Sequence, residues 1–178
     1  IPIYEGTLLQ STFTHSGNNP HQKFTLPNSG IDTKLLKVNV RSNEFATAET
    51  KYSLQTNLFD INAESKVYYI QEVEDERYEI FFGDGIFGNK LDEGNFVVAD
   101  YIVNNGDTGN GVSNFQFAGK LTYTRNGVEY SVTSGVSLLT TGLPSSGGQA
   151  IESVESVKKF APKIYAAQNR TLTSSDYE

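Results

Sequence analysis

The residues from Tyr78 to Tyr101, YEIFFGDGIFGNKLDEGNFVVADY, decide how this chain is built. The stretch opens with an aromatic and β-branched run typical of a strand, and a second such run, Phe96–Val103, begins within it. Between the two runs the chain breaks at three corners rich in glycine and asparagine. Two apolar strands joined in this way predict a β-arch or a long hairpin. We expect the corner glycines to be structural turn residues, namely Gly83, Gly85, Gly88 and Gly94.

The same glycines also match a dinucleotide-binding pattern, Gly83-x-Gly85-x-x-Gly88. That pattern holds a pyrophosphate only where a helix opens directly after the glycines, because the helix N-terminus binds the anion. Residues 89–95 contain further breakers and no helical period. The sequence therefore favours a glycine-cornered turn system over a nucleotide site, and it predicts no cofactor.

Composition excludes several classes of partner and of site. The chain has 178 residues, which suits one domain or one domain plus an appendage, and its formal net charge is −7. An acidic chain is a poor ligand for nucleic acid or for an anionic membrane surface. No apolar run approaches the roughly 20 residues that span a bilayer, and no signal peptide pattern is present. The absence of cysteine excludes disulfides, cysteine zinc sites and thiol nucleophiles.

Period-two alternation dominates the first three quarters of the chain. Leu36, Val38 and Val40 point to one side of a half-buried strand, with polar residues between them. Turns at 75–77 and at Asn126–Gly127 predict hairpins. Residues 42–65 are irregular by pattern, and further strands are expected at 3–13, 23–26, 66–74, 78–82, 96–103, 115–117, 120–124, 128–132 and 136–140. The expected fold class is mainly β (α+β overall), with an antiparallel β-sandwich or barrel-like body and a C-terminal helical segment.

The predicted domains follow from where the period changes. A β-rich body covers residues 1–144, with 1–65 as a separate subdomain in one alternative, and a Ser/Gly linker covers 145–149. A helix over Ile151–Phe160 is expected to end at Ala161–Pro162. This helical segment, 150–178, closes with a capping pattern at 173–176 and leads into a further domain. Because the chain starts without methionine, we interpret it as a piece of a longer protein.

Candidate catalytic and metal-binding residues are few and poorly arranged. His15 and His21 flank turns, at a spacing that does not suit a pair of ligands on one helix face. Asp107 is the one charged residue of an Asn/Gly-rich loop that resembles a calcium loop only in composition. Two acidic pairs, at 75–76 and 92–93, lie at predicted turns, where carboxylates are normally solvated. Since nothing combines a nucleophile, a base and an orienting group, we predict a protein that is not an enzyme, with no catalytic, cofactor-binding or metal residues and no small-molecule substrate.

Two stretches resemble one known family. The segment from Phe82 to Leu91, FGDGIFGNKL, followed by Gly94-Asn95 and Tyr101, resembles the F-G-D-G-x-x-G-x-x-L…G-N…Y signature of baseplate J-like proteins. Residues 152–178 resemble the E-S-x-E-x-x-[KR]-x-x-A-P…R-x-[LV]-T-x-x-D-Y-E segment of that family, in the family's order. Within the family, the Asn-rich loops and separate N-terminal strands are most similar to the large wedge subunits of T4-type contractile-tailed phages. P2-like or Mu-like baseplate proteins and contractile injection systems are the alternatives.

The resemblance implies a structural role in a virion. Such subunits pair with each other, bind neighbouring wedge proteins and close a ring around the central hub. The diameter of this ring changes when the tail sheath contracts. The implied location is the tail baseplate, assembled in the host cytoplasm. The competing class is a carbohydrate- or receptor-binding β module of a virion or secreted protein, given the ten tyrosines and the loops.

Subunit contacts are expected in the helical segment, because it is apolar along one side with little chain left to cover it. The candidate contact residues are Val154, Val157, Phe160, Ile164 and Tyr165.

Overall fold

The fold is taken from a computed structural model that describes residues 3–19, 21–56, 60–135, 142–150 and 152–167. The chain divides into two compact units, Ile1–Asn105 and Gly106–Glu178. We call them the barrel unit and the C-terminal unit, and each is described by itself. Some sequence predictions lie outside the described residues: the strand at 136–140, the first residue of the predicted helix, Ile151, the side chain of Ile164 and the capping pattern at 173–176.

The described residues of the barrel unit form seven strands in one sheet, ordered β1-β7-β3-β4-β5-β6-β2. All neighbouring strands are antiparallel except β4 and β5, which are parallel. The predicted mainly-β, barrel-like body is confirmed. The strands are β1 (Thr7–Thr14), β2 (Phe24–Thr25), β3 (Lys37–Arg41), β4 (Thr50–Leu54), β5 (Val67–Glu72), β6 (Tyr78–Phe82) and β7 (Phe96–Val103).

The sheet is nearly closed. Its two outer strands, β1 and β2, approach through Phe13 and Phe24, whose ring centroids are 5.3 Å apart. Inward residues alternate with outward ones along each strand, as Val38 and Val40 do in β3, which confirms the predicted half-buried pattern. The enclosed core consists of Phe24, Leu26, Ile31, Leu36, Val38, Val40, Tyr52, Tyr68, Ile80, Leu91, Val97, Ala99 and Tyr101.

The two strands of the fold-deciding stretch form an arch. β6 pairs with β5 and β2, whereas β7 pairs with β1 and β3. The connection at 83–95 therefore carries the chain from one part of the sheet to another. Of the two expected connections, the structure contains the arch and not the hairpin.

Residues 7–54 do not form a sheet of their own. β1 and β3 pair with β7 along eight and five residues, so the N-terminal strands complete the same sheet as β5–β7. β4 lies in a segment expected to be irregular, and its inward residue Tyr52 is buried beside β3. The apolar alternation of β4 is weak in the sequence, because only Tyr52 and Leu54 alternate with polar residues before the next turn. Conversely, the predicted strand at 115–117 is not in a strand, and its two phenylalanines are exposed.

The described part of the C-terminal unit contains one β-hairpin and one α-helix. β8 (Thr122–Arg125) pairs with β9 (Val128–Ser131) around a two-residue turn, where Asn126 and Gly127 have φ of 52° and 77°. Positive φ at both turn residues is the type I′ geometry that the Asn-Gly pair predicts. The helix α1 spans Val154–Ala167. A short 3₁₀ turn at Gly106–Gly109 starts this unit, and another lies in the barrel unit at Glu74–Glu76.

The segment predicted as a linker is hydrogen-bonded to an earlier loop. The Ser145 hydroxyl donates to the Gly109 carbonyl at 2.6 Å. The Asn110 side chain bonds Gly148 twice, donating to its carbonyl at 2.8 Å and accepting from its N–H at 3.0 Å. Residues 145–148 are thus tied to residues 109–112. The C-terminal unit, which begins at Gly106, contains both of these segments.

Helix α1 begins and ends later than its sequence pattern predicts. Ser153 caps it, since its side-chain oxygen accepts from the Ser156 N–H at 3.2 Å. The predicted end at Ala161–Pro162 is wrong, because the helix continues through Pro162 to Ala167. A proline removes one N–H donor from a helix, and the lysine and alanines that follow favour helical backbone. No helix of the described residues is long and apolar enough to cross a bilayer.

Candidate interaction surfaces

The corner after β6 is held by a close backbone approach. A Cβ atom added at Gly83 would lie 2.2 Å from the carbonyl carbon of Gly88. At Gly88, where φ is +96°, an added Cβ would lie 2.6 Å from a methyl group of Val67. Glycine is needed at both positions because no side chain fits between the two backbone segments.

Asp84 orders the tip of this corner. One of its carboxylate oxygens accepts hydrogen bonds from the N–H groups of Ile86 and Phe87, both at 2.9 Å. These bonds lower the pKa of Asp84, with that from Phe87 contributing most. Gly85, with φ of +93°, donates its N–H to the Gly88 carbonyl at 3.0 Å. The tip is therefore a fixed turn.

Several hydrogen bonds anchor the corner to the rest of the barrel unit. The Gly88 N–H donates to the Asn62 carbonyl at 3.1 Å, and the Tyr52 hydroxyl donates to the Asn89 side chain at 2.7 Å. Leu91 continues from this anchor into the core and is buried. No helix follows Gly88 within residues 89–103, all of which are described, so the geometry of a dinucleotide fingerprint is not present.

The fixed tip presents apolar side chains to solvent. Ile86 and Phe87 are 67% and 47% exposed. Beside them, Tyr69 stacks on Phe81 with ring centroids 5.3 Å apart, and its hydroxyl donates to the Phe87 carbonyl at 3.1 Å. Rigid, partly apolar surfaces lose little entropy on binding and are common in interfaces.

His15 is the one polar side chain classed as buried among the described residues, and it closes the end of β1. Its backbone bonds the 94–95 turn in both directions, while neither ring nitrogen has a hydrogen-bond partner among the described residues. Burial lowers the pKa of His15, and the charge of Lys90 lowers it further; Asp92 and Gln22 offset part of this change. The geometry is that of a buried histidine whose backbone holds the 94–95 turn against the end of β1.

A small cavity lies beside His15. Its volume is about 200 Å³, and His21 lies at its edge, exposed to solvent. Among the described residues there is no group of three or more His, Asp or Glu side chains able to hold a metal ion. The lining residues are His15, His21, Gln22, Lys23, Phe81, Phe82, Gly83 and Leu91.

The acidic residues considered in the sequence lie in different parts of the chain. Asp92 follows Leu91, which lines this cavity, and the charge of Asp92 acts on His15. Asp75 lies in the 3₁₀ turn between β5 and β6 with a left-handed φ of 60°, and it pairs with Arg77 at 3.4 Å. Asp107 lies in the 3₁₀ turn that starts the C-terminal unit, and its side chain is exposed.

The predicted contact residues of α1 are exposed where they are described. Val154 is 68% exposed, Val157 45%, Phe160 39% and Tyr165 87%. The side chain of Ile164 lies outside the described residues. Sequence reasoning missed a second apolar surface, on the β8–β9 hairpin. The alternation of apolar and polar residues along these strands could have indicated it, since every second residue is apolar at Leu121, Tyr123, Val128, Tyr130 and Val132.

One comparison with known proteins matches the barrel unit. A family model for the third domain of bacteriophage baseplate wedge protein gp6 matches residues 10–106, more than half of the chain. The chain belongs to this baseplate wedge family. The matched residues include the glycine signature of the sequence analysis and end where the barrel unit ends. No curated protein and no solved structure matches the chain.

Membership of the gp6 wedge family identifies the protein as a structural component of a phage tail baseplate in the virion. The family assignment predicted from the sequence is confirmed. A structural baseplate role is consistent with a protein that is not an enzyme, and it implies association with other baseplate proteins. The second resembling stretch, residues 152–178, lies outside the matched residues.

Proposed function

We propose that this chain is a baseplate wedge segment that self-associates, binds neighbouring wedge proteins and helps to form the ring around the tail hub. The barrel unit acts as the rigid body, and the C-terminal unit supplies contacts. The observation that carries this proposal is the contrast in burial. The barrel unit encloses a core, whereas no described residue after Asn105 is buried.

The contact residues proposed for self-association are Val154, Val157, Phe160, Ile164 and Tyr165. The first three recur every three residues, so they share one side of α1. Apolar side chains aligned on an exposed helix side mark a surface that a partner covers. Burial of one such side chain stabilises a complex by about 1.5–3 kcal/mol.

Sedimentation tests the self-association. The full chain is expected to associate as its concentration rises, and a chain ending at Gly148 is expected to remain a monomer. A matched pair of variants refines the test: Val157→Ser should weaken association at least tenfold, whereas Lys158→Ser, on the neighbouring polar side, should change it little. If the full chain stays monomeric at high concentration and binds sugars on a glycan array, the carbohydrate-binding alternative is favoured instead.

The rearrangement on sheath contraction is assigned to contacts of the C-terminal unit. The close Gly83–Gly88 approach and the Asp84 turn support a barrel that moves without deforming. Images of the baseplate before and after contraction provide the test. The barrel is expected to superpose in the two states, while neighbours of α1 change; an altered barrel with constant neighbours would contradict this assignment.

A further inference from the structure

The β8–β9 hairpin has one apolar and one polar face. Tyr123 pairs with Tyr130 across the two strands, and Arg125 pairs with Val128. Leu121 and Val132 extend the same face by one pair, since the Val132 N–H donates to the Leu121 carbonyl at 2.8 Å. The opposite face carries Thr122, Thr124, Glu129 and Ser131. We call the first of these the apolar hairpin face.

The apolar hairpin face is open to solvent. The exposed fraction of its five apolar side chains lies between 38% for Val132 and 53% for Val128. Its two tyrosines stack at 5.4 Å with rings only 19° from parallel. Strands that alternate apolar and polar residues normally bury the apolar side, and an isolated two-stranded hairpin is marginally stable in water. This face therefore has the chemistry of a surface that is covered in the assembled protein.

The chain itself contains a segment that fits this face. Helix α1 exposes Val154, Val157 and Phe160 along one side, with Glu152 and Glu155 at its start. From Val154 to Phe160 the helix rises about 9 Å, and from Val128 to Val132 the strand extends about 13 Å. A helix on a sheet face is one of the standard ways to bury two such surfaces. The sizes of the two apolar surfaces are thus matched.

Charge favours a second copy as the source of that helix. Residues 106–178 carry six basic and six acidic residues, so two C-terminal units do not repel one another, whereas residues 1–105 carry the whole net charge of −7. Arg125 lies at the turn end of the apolar hairpin face, where the acidic start of α1 would complement it. Within one chain both apolar sides remain exposed, so they do not cover each other.

We propose that α1 of a second copy docks on the apolar hairpin face, and that the two copies exchange helices reciprocally. Such an exchange forms a closed two-fold interface, in which hairpin meets helix twice. The start of α1 lies near Arg125 and its later turns lie toward Leu121 and Val132. This inference rests on the proposed self-association, and it names the surface that receives the helix.

Single-cysteine chains test the docking directly, because the natural chain has no cysteine. Differently tagged Val128→Cys and Val157→Cys chains are mixed under mild oxidation, with Thr124→Cys on the polar face as the matched control. We expect the mixed Val128→Cys/Val157→Cys dimer to form at least tenfold faster than the mixed Thr124→Cys/Val157→Cys dimer. Equal rates with both hairpin positions would overturn the docking. A chain carrying Val128→Cys and Val157→Cys together that closes on itself as a monomer would also overturn it.

The outcomes separate the two proposals. If only Val157→Cys pairs form and the natural chain still sediments as a dimer, self-association stands and the hairpin is excluded as its receptor. If the natural chain stays monomeric, both proposals fail.

A charge exchange gives a second test that leaves the apolar side chains in place. Arg125→Glu is expected to weaken the dimer roughly two- to fivefold, the effect of one partly exposed ion pair. Mixing it with Glu155→Arg should restore association between the two variants. Weakening without restoration would contradict the proposed orientation of α1.

Discussion

The barrel unit and the C-terminal unit contain similar residues and use them differently. Both alternate apolar and polar side chains along β-strands. In the barrel unit the inward residues meet those of six other strands, and Val38, Ile80 and Val97 have no exposed surface. In the C-terminal unit the same alternation produces an exposed face with two tyrosines. An alternating strand thus needs a nearly closed sheet or a partner before its pattern stabilises the fold. The described residues form such a sheet in the barrel unit and only a two-stranded hairpin in the C-terminal unit.

The largest expected effect is on the barrel core. Ile80→Ala should lower the free energy of unfolding by about 2–5 kcal/mol, because it removes buried methyl groups and leaves a cavity. Val157→Ala in the C-terminal unit should change the free energy of unfolding of the dilute monomer by less than about 0.5 kcal/mol. Urea unfolding of the two variants measures both. Losses of equal size would show that the two units are not built differently.

The glycine corner gives the next effect. Gly83→Ala should destabilise the barrel by about 1–3 kcal/mol or more, since the added carbon lies 2.2 Å from the Gly88 backbone. Gly94→Ala is the matched control: its φ is +79° but nothing lies within 4 Å of the added carbon. It should cost only the left-handed strain, about 1–2 kcal/mol. Thermal unfolding of the two variants compares their losses of stability. A larger loss of stability in Gly94→Ala than in Gly83→Ala would contradict the close-approach argument.

His15 should make the stability of the barrel depend on pH. Its pKa is lowered in the folded chain by burial, so between that pKa and about 6.5 the unfolded chain binds more protons. The free energy of unfolding should therefore fall as pH decreases below 6.5, by at most about 1.4 kcal/mol per pH unit for this group. Urea unfolding from pH 7.5 to 5 provides the measurement.

Matched variants assign this pH dependence to one residue. His15→Gln should reduce the dependence of the free energy of unfolding on pH. His21→Gln, at an exposed position, should leave this dependence nearly unchanged. Loss of this dependence in the His21 variant instead would refute the assignment. Both histidines lie in the barrel unit, so the C-terminal unit contributes no histidine to the profile.

The smallest expected effect comes from the ion pair between Lys23 and Glu79, which joins β6 to the residue before β2. Lys23→Gln should cost less than about 1 kcal/mol, because the Lys23 side chain remains 44% exposed and solvent screens its attraction to the more covered Glu79. The cost should shrink at high salt. A double-mutant cycle with Glu79→Gln isolates the pair, and a coupling that salt does not change would contradict a solvated pair.

Local residue patterns predicted several features of both units. The alternation at Val38 and Val40 and the corner at Gly83–Gly88 in the barrel unit, and the Asn126–Gly127 turn in the C-terminal unit, each depend on a few neighbouring residues. The pairing of β1 with β7 and the parallel contact of β4 with β5 join residues far apart in the chain. No local pattern specifies such partners, so the sequence left the choice between sandwich and barrel open.

The candidate contact surfaces were only partly predictable. The apolar side of α1 follows from its period, but the passage of the helix through Pro162 does not, because proline usually stops a helix. The apolar hairpin face is visible as alternation, yet alternation alone predicts burial. The exposure of Tyr123 and Tyr130 becomes evident only from the structure, in which no described residue after Asn105 is buried.

Hydrogen exchange at two protein concentrations tests the central claim most directly, namely that the barrel folds by itself and the C-terminal unit requires a partner. At low concentration, amides of β3, β6 and β7 should be strongly protected, and those at 122–131 and 154–167 should exchange quickly. At high concentration the hairpin and helix should gain protection together, while the barrel stays unchanged. Equal protection of hairpin and barrel in the dilute monomer would contradict the account.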